Sequence, residues 1–174
     1  MTNHKENIHI IATGGTIDSK FYAPKEGSLV KEHSGIPEFL NETIAPHFTF
    51  TFDQFVMLDS SDITDQIRDE LIIKINNCNS DKILITHGTN TMVETLKYLS
   101  TKLESTEKTI FLTGAMIPLD GFCPTDSGFN LGYTIAQLQN HSKGVYISMN
   151  GAVFKTNEVE KNFQISRFEF IGSS

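Results

Sequence analysis

What this chain lacks narrows it before any motif is read. It holds two cysteines, Cys78 and Cys123, in 174 residues. Cys78 falls in a helical pattern, so a disulfide framework is not expected. No long apolar run opens the sequence: Met1 to Asn7 is polar, and Ile8–Ala12 is too short for the core of a signal peptide. The expected location is therefore the cytoplasm, with no membrane partner. A basic excess is missing too, and the net charge of −7 repels phosphate backbones, which argues against nucleic acid as a partner. Neither G-x-G-x-x-G nor the Lys-Ser/Thr of a P-loop occurs, which weakens nucleotide binding. No second His or Cys stands at metal-ligand spacing from His87, so no metal and no organic cofactor is implied.

The composition that remains, 39% hydrophobic and 20% charged, is that of an ordinary folded domain long enough for one core. Strand-like runs fall at Ile8–Thr13, Phe48–Leu58, Ile83–His87, Thr109–Thr113 and Val145–Asn150. Helical faces lie between several of them: Ile67, Leu71, Ile72 and Ile75 after the N-cap candidate Thr64; Met92, Val93, Leu96, Leu99 and Leu103 after Asn90-Thr91; and Leu131, Ile135 and Leu138. Thr91-Met92-Val93-Glu94 reads as a capping box. Alternating strands and helices predict an α/β fold, a flavodoxin-like or Rossmann-like doubly wound, mainly parallel sheet in a single domain. Ser19–Gly35 is polar and long for a connection, a length associated with active-site lids. The tail from Phe154 alternates apolar residues at Phe163, Ile165, Phe168 and Phe170.

Four strand ends carry small, hydroxyl-rich turns: Ala12-Thr13-Gly14-Gly15-Thr16-Ile17, Leu58-Asp59-Ser60-Ser61-Asp62, Thr86-His87-Gly88-Thr89-Asn90-Thr91 and Leu112-Thr113-Gly114-Ala115-Met116. Ligands of open α/β sheets sit beyond the carboxyl ends of strands, so the four turns are expected to wall one pocket. Gly14-Gly15 permits a tight turn and close ligand approach, with Thr16 at the pocket floor. A threonine hydroxyl needs activation to act as a nucleophile, and Thr89 with Lys155 or Lys161 are the candidates for proton handling. Helix N-capping explains Thr89 and Asn90 equally well. His87, ending a buried strand, reads as a hydrogen-bonded structural histidine. Ser60 and Ser61 offer donors for a carboxylate, and Asp62 suits an ammonium.

Taken in order, Ala-Thr-Gly-Gly-Thr-Ile at 12–17, Asp-Ser-Ser-Asp at 59–62, Thr-His-Gly-Thr-Asn-Thr-Met at 86–92 and Leu-Thr-Gly-Ala-Met at 112–116 resemble the bacterial-type L-asparaginase family. The likeness extends to Phe129-Asn130-Leu131 and Met149-Asn150-Gly151…Lys161, nearly the whole chain. It implies Thr16 as the nucleophile that forms an acyl-enzyme, and Thr89 with Lys161 as the proton-handling pair. Ser60 and Ser61 correspond to positions that hold the substrate's α-carboxylate, Ala115 to the backbone carbonyl that meets the leaving amide, and Tyr22 is the nearest match to the family's loop tyrosine. Three departures stand out. Asn90 replaces the aspartate that grips the α-ammonium, Ile117 replaces a common arginine, and residues 1–174 correspond to the N-terminal-type α/β domain, with the C-terminal domain expected to be absent. The overall form resembles the short, single-domain asparaginase-like proteins.

The function implied is an amidohydrolase that cleaves the side-chain amide of L-asparagine, or of a close small amino-acid amide, to the acid and ammonia. Backbone amides of the Gly14–Thr16 turn would stabilise the oxyanion, with Gly15 and Asn90 among the substrate contacts. Two alternatives accompany it: a binding or regulatory domain with weak turnover, and a hydrolase of an analogue lacking a free α-amino group. A homo-oligomer, most simply a homodimer, is expected from the family's assembly and the Phe-rich tail.

Overall fold

The structure, a computed structural model, describes residues 7–172. A six-stranded sheet runs in the order β4-β1-β5-β6-β7-β8. Its strands are β1 (Asn7–Gly14), β4 (Thr49–Leu58), β5 (Lys82–Thr86), β6 (Thr109–Thr113), β7 (Gly144–Met149) and β8 (Ala152–Phe154). All neighbours pair in parallel except β8, which returns antiparallel to β7. The expected α/β single domain is what forms, and each of the five predicted strands lies within a residue or so of its observed bounds.

Two apolar layers explain the strand composition. On β5, Ile83 and Ile85 face one layer with Leu71 and Ile75 of α2 (Asp65–Asn77) and Leu96 and Leu99 of α3 (Met92–Lys102). Leu84 faces the other layer, with Leu40 and with Leu131, Ile135 and Leu138 of α4 (Ser127–Asn140). The same alternation recurs at Ile110, Phe111 and Leu112 of β6 and at Val145, Tyr146 and Ile147 of β7. Strands buried on both faces need near-continuous β-branched and aliphatic runs, which is how they read in the sequence.

Residues 19–35 do not form one long irregular loop. They hold an antiparallel hairpin of β2 (Ser19–Tyr22) and β3 (Gly27–Val30), then lead into the short α1 (Ile36–Glu38), which continues as a wider turn over Phe39–Ile44. The tail forms a second hairpin, β9 (Val159–Asn162) and β10 (Arg167–Phe170), in which Lys161 lies opposite Phe168. Val159 and Phe168 are buried in the same layer as α2 and α3, which fixes that hairpin to the body of the fold.

Helix starts follow the sequence in part. Thr64 caps α2, its hydroxyl accepting from the Ile67 amide at 3.4 Å. The capping box predicted at Thr91–Glu94 does not form: the Thr91 hydroxyl donates instead to the Ser60 carbonyl at 2.7 Å, and no side chain caps α3. A tertiary acceptor has displaced the local one. Cys78 sits at the C-terminal cap of α2, and both cysteines are free.

Candidate active site

The strand order reverses direction at β1. The chain moves from β1 outward to β4, crosses back to β5, and proceeds away on the other side. The loops after β1 and β5 therefore flank a topological switch point, where open α/β sheets hold ligands.

Backbone geometry brings these loops into contact. Gly14 and Gly15 have φ of +91° and +80°, and a Cβ on Gly15 would lie 2.4 Å from the Gly88 Cα. Only glycine supplies both the positive φ and the absent side chain that this approach needs. The β1–β4 ladder is irregular between Ala12 and Gly14, the kind of bulge that re-aims a strand end. Thr16 follows at the start of a single 3-10 turn, Thr16–Asp18, half-buried. The Gly15 amide is occupied, donating to the Leu58 carbonyl at 2.9 Å. It cannot also serve an oxyanion, which corrects the expectation that the whole Gly14–Thr16 turn supplies donors.

Thr89, Asn90 and Lys161 meet although the last is about seventy residues away. Lys161 Nζ donates to Thr89 Oγ1 at 2.8 Å and to Asn90 Oδ1 at 2.7 Å, and lies 4.8 Å from the Phe163 ring centroid. Burial pushes the Lys161 amine below the usual lysine range, the condition under which a lysine can act as a base. Lys155 is exposed and lies by Ser100 and Leu103 on another surface, which resolves the choice between the two lysines in favour of Lys161 as the contact of Thr89.

Ser60 is buried against Gly88, where a Cβ would stand 2.6 Å from the Ser60 Cβ. Ser61 is exposed, its hydroxyl and amide both donating to Asp59 Oδ1 at 2.8 and 2.9 Å. Asp59 thus orients Ser61, a role the sequence reading did not assign, although the Asx-turn pattern Asp-Ser-Ser could have suggested it. Ala115 is fully buried just after β6. The residues beyond it are held by Asp126, whose carboxylate accepts from the Met116 and Ile117 amides. Asn130 in turn donates to Asp126 and to the Gly114 carbonyl, each at 3.0 Å.

Other members of the hydroxyl-rich strand ends are structural. Thr13 donates to the Thr86 carbonyl and Thr113 to the Ser148 carbonyl, both at 2.8 Å, knitting neighbouring strands together. His87 is fully buried, with Nδ1 2.8 Å from the Gly88 carbonyl and Nε2 3.0 Å from the Thr95 hydroxyl. Because Arg68 Nε donates to that same hydroxyl, Thr95 donates onward to Nε2 and His87 carries its proton on Nδ1. Burial holds its pKa down to about 4. His87 is accordingly a neutral strut beneath the Gly88 turn.

Tyr22 lies at the end of β2, about one-third exposed at 37%. Its neighbour Phe21, not Tyr22, lines a cleft of about 430 Å³ whose wall also includes Thr16, Met116, Pro118, Phe122 and Pro124. Among the described residues no cluster of three or more His, Cys, Asp or Glu could hold a metal, and no helix is long and apolar enough to cross a membrane.

Residues 7–172 match the family described as Asparaginase, N-terminal. L-asparaginase 1 of Escherichia coli (strain K12) is 35% identical over 121 residues, 66% of this chain and 35% of that protein. The probable periplasmic L-asparaginase of Haemophilus influenzae is 35% identical over 167 residues, 89% of this chain and 46% of that protein. Among solved structures, a probable cytoplasmic L-asparaginase from Campylobacter jejuni superposes with a TM-score of 0.75 at 28% identity, covering 94% of this chain and 51% of that one. The chain thus spans between a third and about half the length of these relatives.

Proposed function

The chain belongs to the asparaginase family, and from that premise we propose that it is an amidohydrolase that cleaves the side-chain amide of L-asparagine, or of a close small amino-acid amide, through Thr16. The observation that carries this reading is the contact of Lys161 with both Thr89 and Asn90 beside a Thr16 turn packed against the Thr89 turn. Thr16 Oγ adds to the amide carbon, and its proton passes through the Thr89 hydroxyl to Lys161 in its neutral form. The Thr16 amide, at the first position of the 3-10 turn, where the turn itself supplies no acceptor, would donate to the oxyanion. The C–N bond then breaks, ammonia leaves with the stored proton, and water hydrolyses the threonyl ester to the acid.

Ser60 and Ser61 would receive the substrate's α-carboxylate, Ser61 only after its hydroxyl turns away from Asp59, which accepts from both its hydroxyl and its amide. Asn90 offers the α-ammonium a neutral acceptor in place of a charged one. An amide oxygen in place of a carboxylate removes the opposite charge and leaves a weaker hydrogen bond to the ammonium, which favours the second reading, an amide that lacks a free α-amino group. Ammonia release from L-asparagine, L-glutamine, D-asparagine and N-acetyl-L-asparagine separates the two. The first reading predicts L-asparagine as the best substrate and the second N-acetyl-L-asparagine; release from none of them would leave a binding domain.

A further inference from the structure

Thr16 lines the cleft, whereas Ser60, Ser61 and Asn90, which would hold the acyl half of a substrate, and Thr89 and Lys161, which would handle the proton, do not. A carbonyl carbon attacked by Thr16 carries two substituents. The serine hydroxyls and the Asn90 amide suit the charged acyl chain, which leaves the apolar cleft for the substituent on nitrogen. We propose that this cleft seats an apolar group on the scissile nitrogen, so that the preferred substrates are N-aryl or N-alkyl amides of the aspartate side chain and the product is a primary amine rather than ammonia. The proposal rests on the reading of Thr16 as the nucleophile.

Size and lining both point this way. A water-sized amide NH2 needs about 30 Å³, whereas the cleft offers about 430 Å³, within the range of small-molecule sites. Phe21, Met116, Pro118, Phe122 and Pro124 supply its apolar wall, and among the described residues Glu26 is the one charged residue in the lining. That carboxylate disfavours an anionic substituent. Phe21 and Phe122 are 60% and 38% exposed, apolar surface that an aryl or alkyl group would cover.

The cleft is also built rather than incidental. One wall is the β2–β3 hairpin and the other is the segment after β6. The residues that flank the hairpin are tied to that segment, Ile17 before it accepting from the Leu119 amide at 3.1 Å and Lys31 after it pairing with Asp120. Asp126 and Thr125 pin the second wall through the backbone of Ile117. Pre-organised walls lower the ordering cost of binding.

The chemistry balances without a further reactant. Thr16 Oγ forms the ester bond, the C–N bond breaks, and the departing amine takes the proton that left the Thr16 hydroxyl. Water then adds to the ester, returning the hydroxyl and releasing the acid.

The test compares L-asparagine with its N4-benzyl derivative, following aspartate release by the whole chain. The benzyl amide is expected to show a kcat/KM higher by about ten- to a hundredfold, the gain available from burying one aromatic group. Phe122→Ser should shrink that ratio at least fivefold, mainly through KM for the benzyl amide. Equal or better use of L-asparagine, with a ratio insensitive to Phe122→Ser, would overturn the cleft assignment while leaving the hydrolase reading intact. Calorimetric binding of the same two compounds to Thr16→Ala separates the remaining case. Absence of turnover on both, with tighter binding of the benzyl compound, removes the hydrolase and keeps the cleft, and absence of both removes the two together.

Discussion

Asn90 meets Lys161 through a neutral amide oxygen, so the lysine keeps the lowered proton affinity that burial gives it. If its neutral form is the base, kcat rises with pH as Lys161 loses its proton. Asn90→Asp places a carboxylate at hydrogen-bond distance, which favours the ammonium and moves that rising limb to higher pH by about one unit or more. The same variant should lower KM for L-asparagine by about tenfold if the α-ammonium binds here. Superimposable kcat–pH profiles for wild type and variant would contradict the assignment of Lys161 as base. His87 carries a different pH signature. Its pKa is depressed to about 4 in the fold against about 6.5 in the unfolded chain. Between those values the unfolded state binds a proton that the native state refuses, so stability is lost as pH falls through this window, by about 3 kcal/mol. Urea unfolding from pH 7 to pH 4.5 should show the loss, and His87→Gln should flatten it. An unchanged slope in the variant would mean that the burial of His87 is relieved without unfolding.

At the scale of elements, the β9–β10 hairpin decides whether Lys161 reaches Thr89 at all. Phe168 lies opposite Lys161 in the ladder, is 2% exposed, and donates its amide to Asn150 Oδ1 at 3.0 Å. Phe168→Ala should cost about 3–5 kcal/mol of stability and lower kcat more than it raises KM, whereas Phe168→Leu retains most of both. Thermal unfolding with steady-state kinetics on the folded variant checks this, and full kcat in Phe168→Ala would show that the hairpin is not what holds the lysine. The five sheet strands are legible in the sequence because burial on one or both faces leaves a pattern in composition, whereas the β9–β10 hairpin is not, since Phe163 and Ile165 of the apolar alternation fall in its exposed turn. The β2–β3 hairpin is not legible, since Ser19, Lys20, Gly27 and Ser28 lack the apolar alternation of a packed strand. The capping box at Thr91 fails for a related reason: local pattern cannot report that the Ser60 carbonyl, from another strand end, stands closer. The four hydroxyl-rich turns are readable as a group, but not their division of labour. Thr13 and Thr113 are spent on neighbouring carbonyls, and the acceptor that occupies the Gly15 amide lies on β4.

The whole molecule gathers residues from both ends of the described chain at one switch point, with a 3-10 turn near the N-terminus and a hairpin near the C-terminus. That second hairpin also exposes Phe163, Ile165 and Phe170, at 67%, 58% and 46%, an apolar surface next to Lys161. We propose that a second copy of the chain covers it in a closed dimer. Light scattering should give twice the chain mass, and Phe163→Glu with Ile165→Glu should return the monomer. A wild-type monomer at assay concentration would refute the dimer. The central claim, that Thr16 is the attacking group of an amidohydrolase, has its most direct test in ammonia release from L-asparagine by wild type and Thr16→Ala at equal concentration, with circular dichroism showing both folded. The account predicts turnover by the wild type and a fall of at least about a thousandfold in kcat for the variant, the scale of losing a nucleophile. Comparable kcat in the two proteins would contradict it.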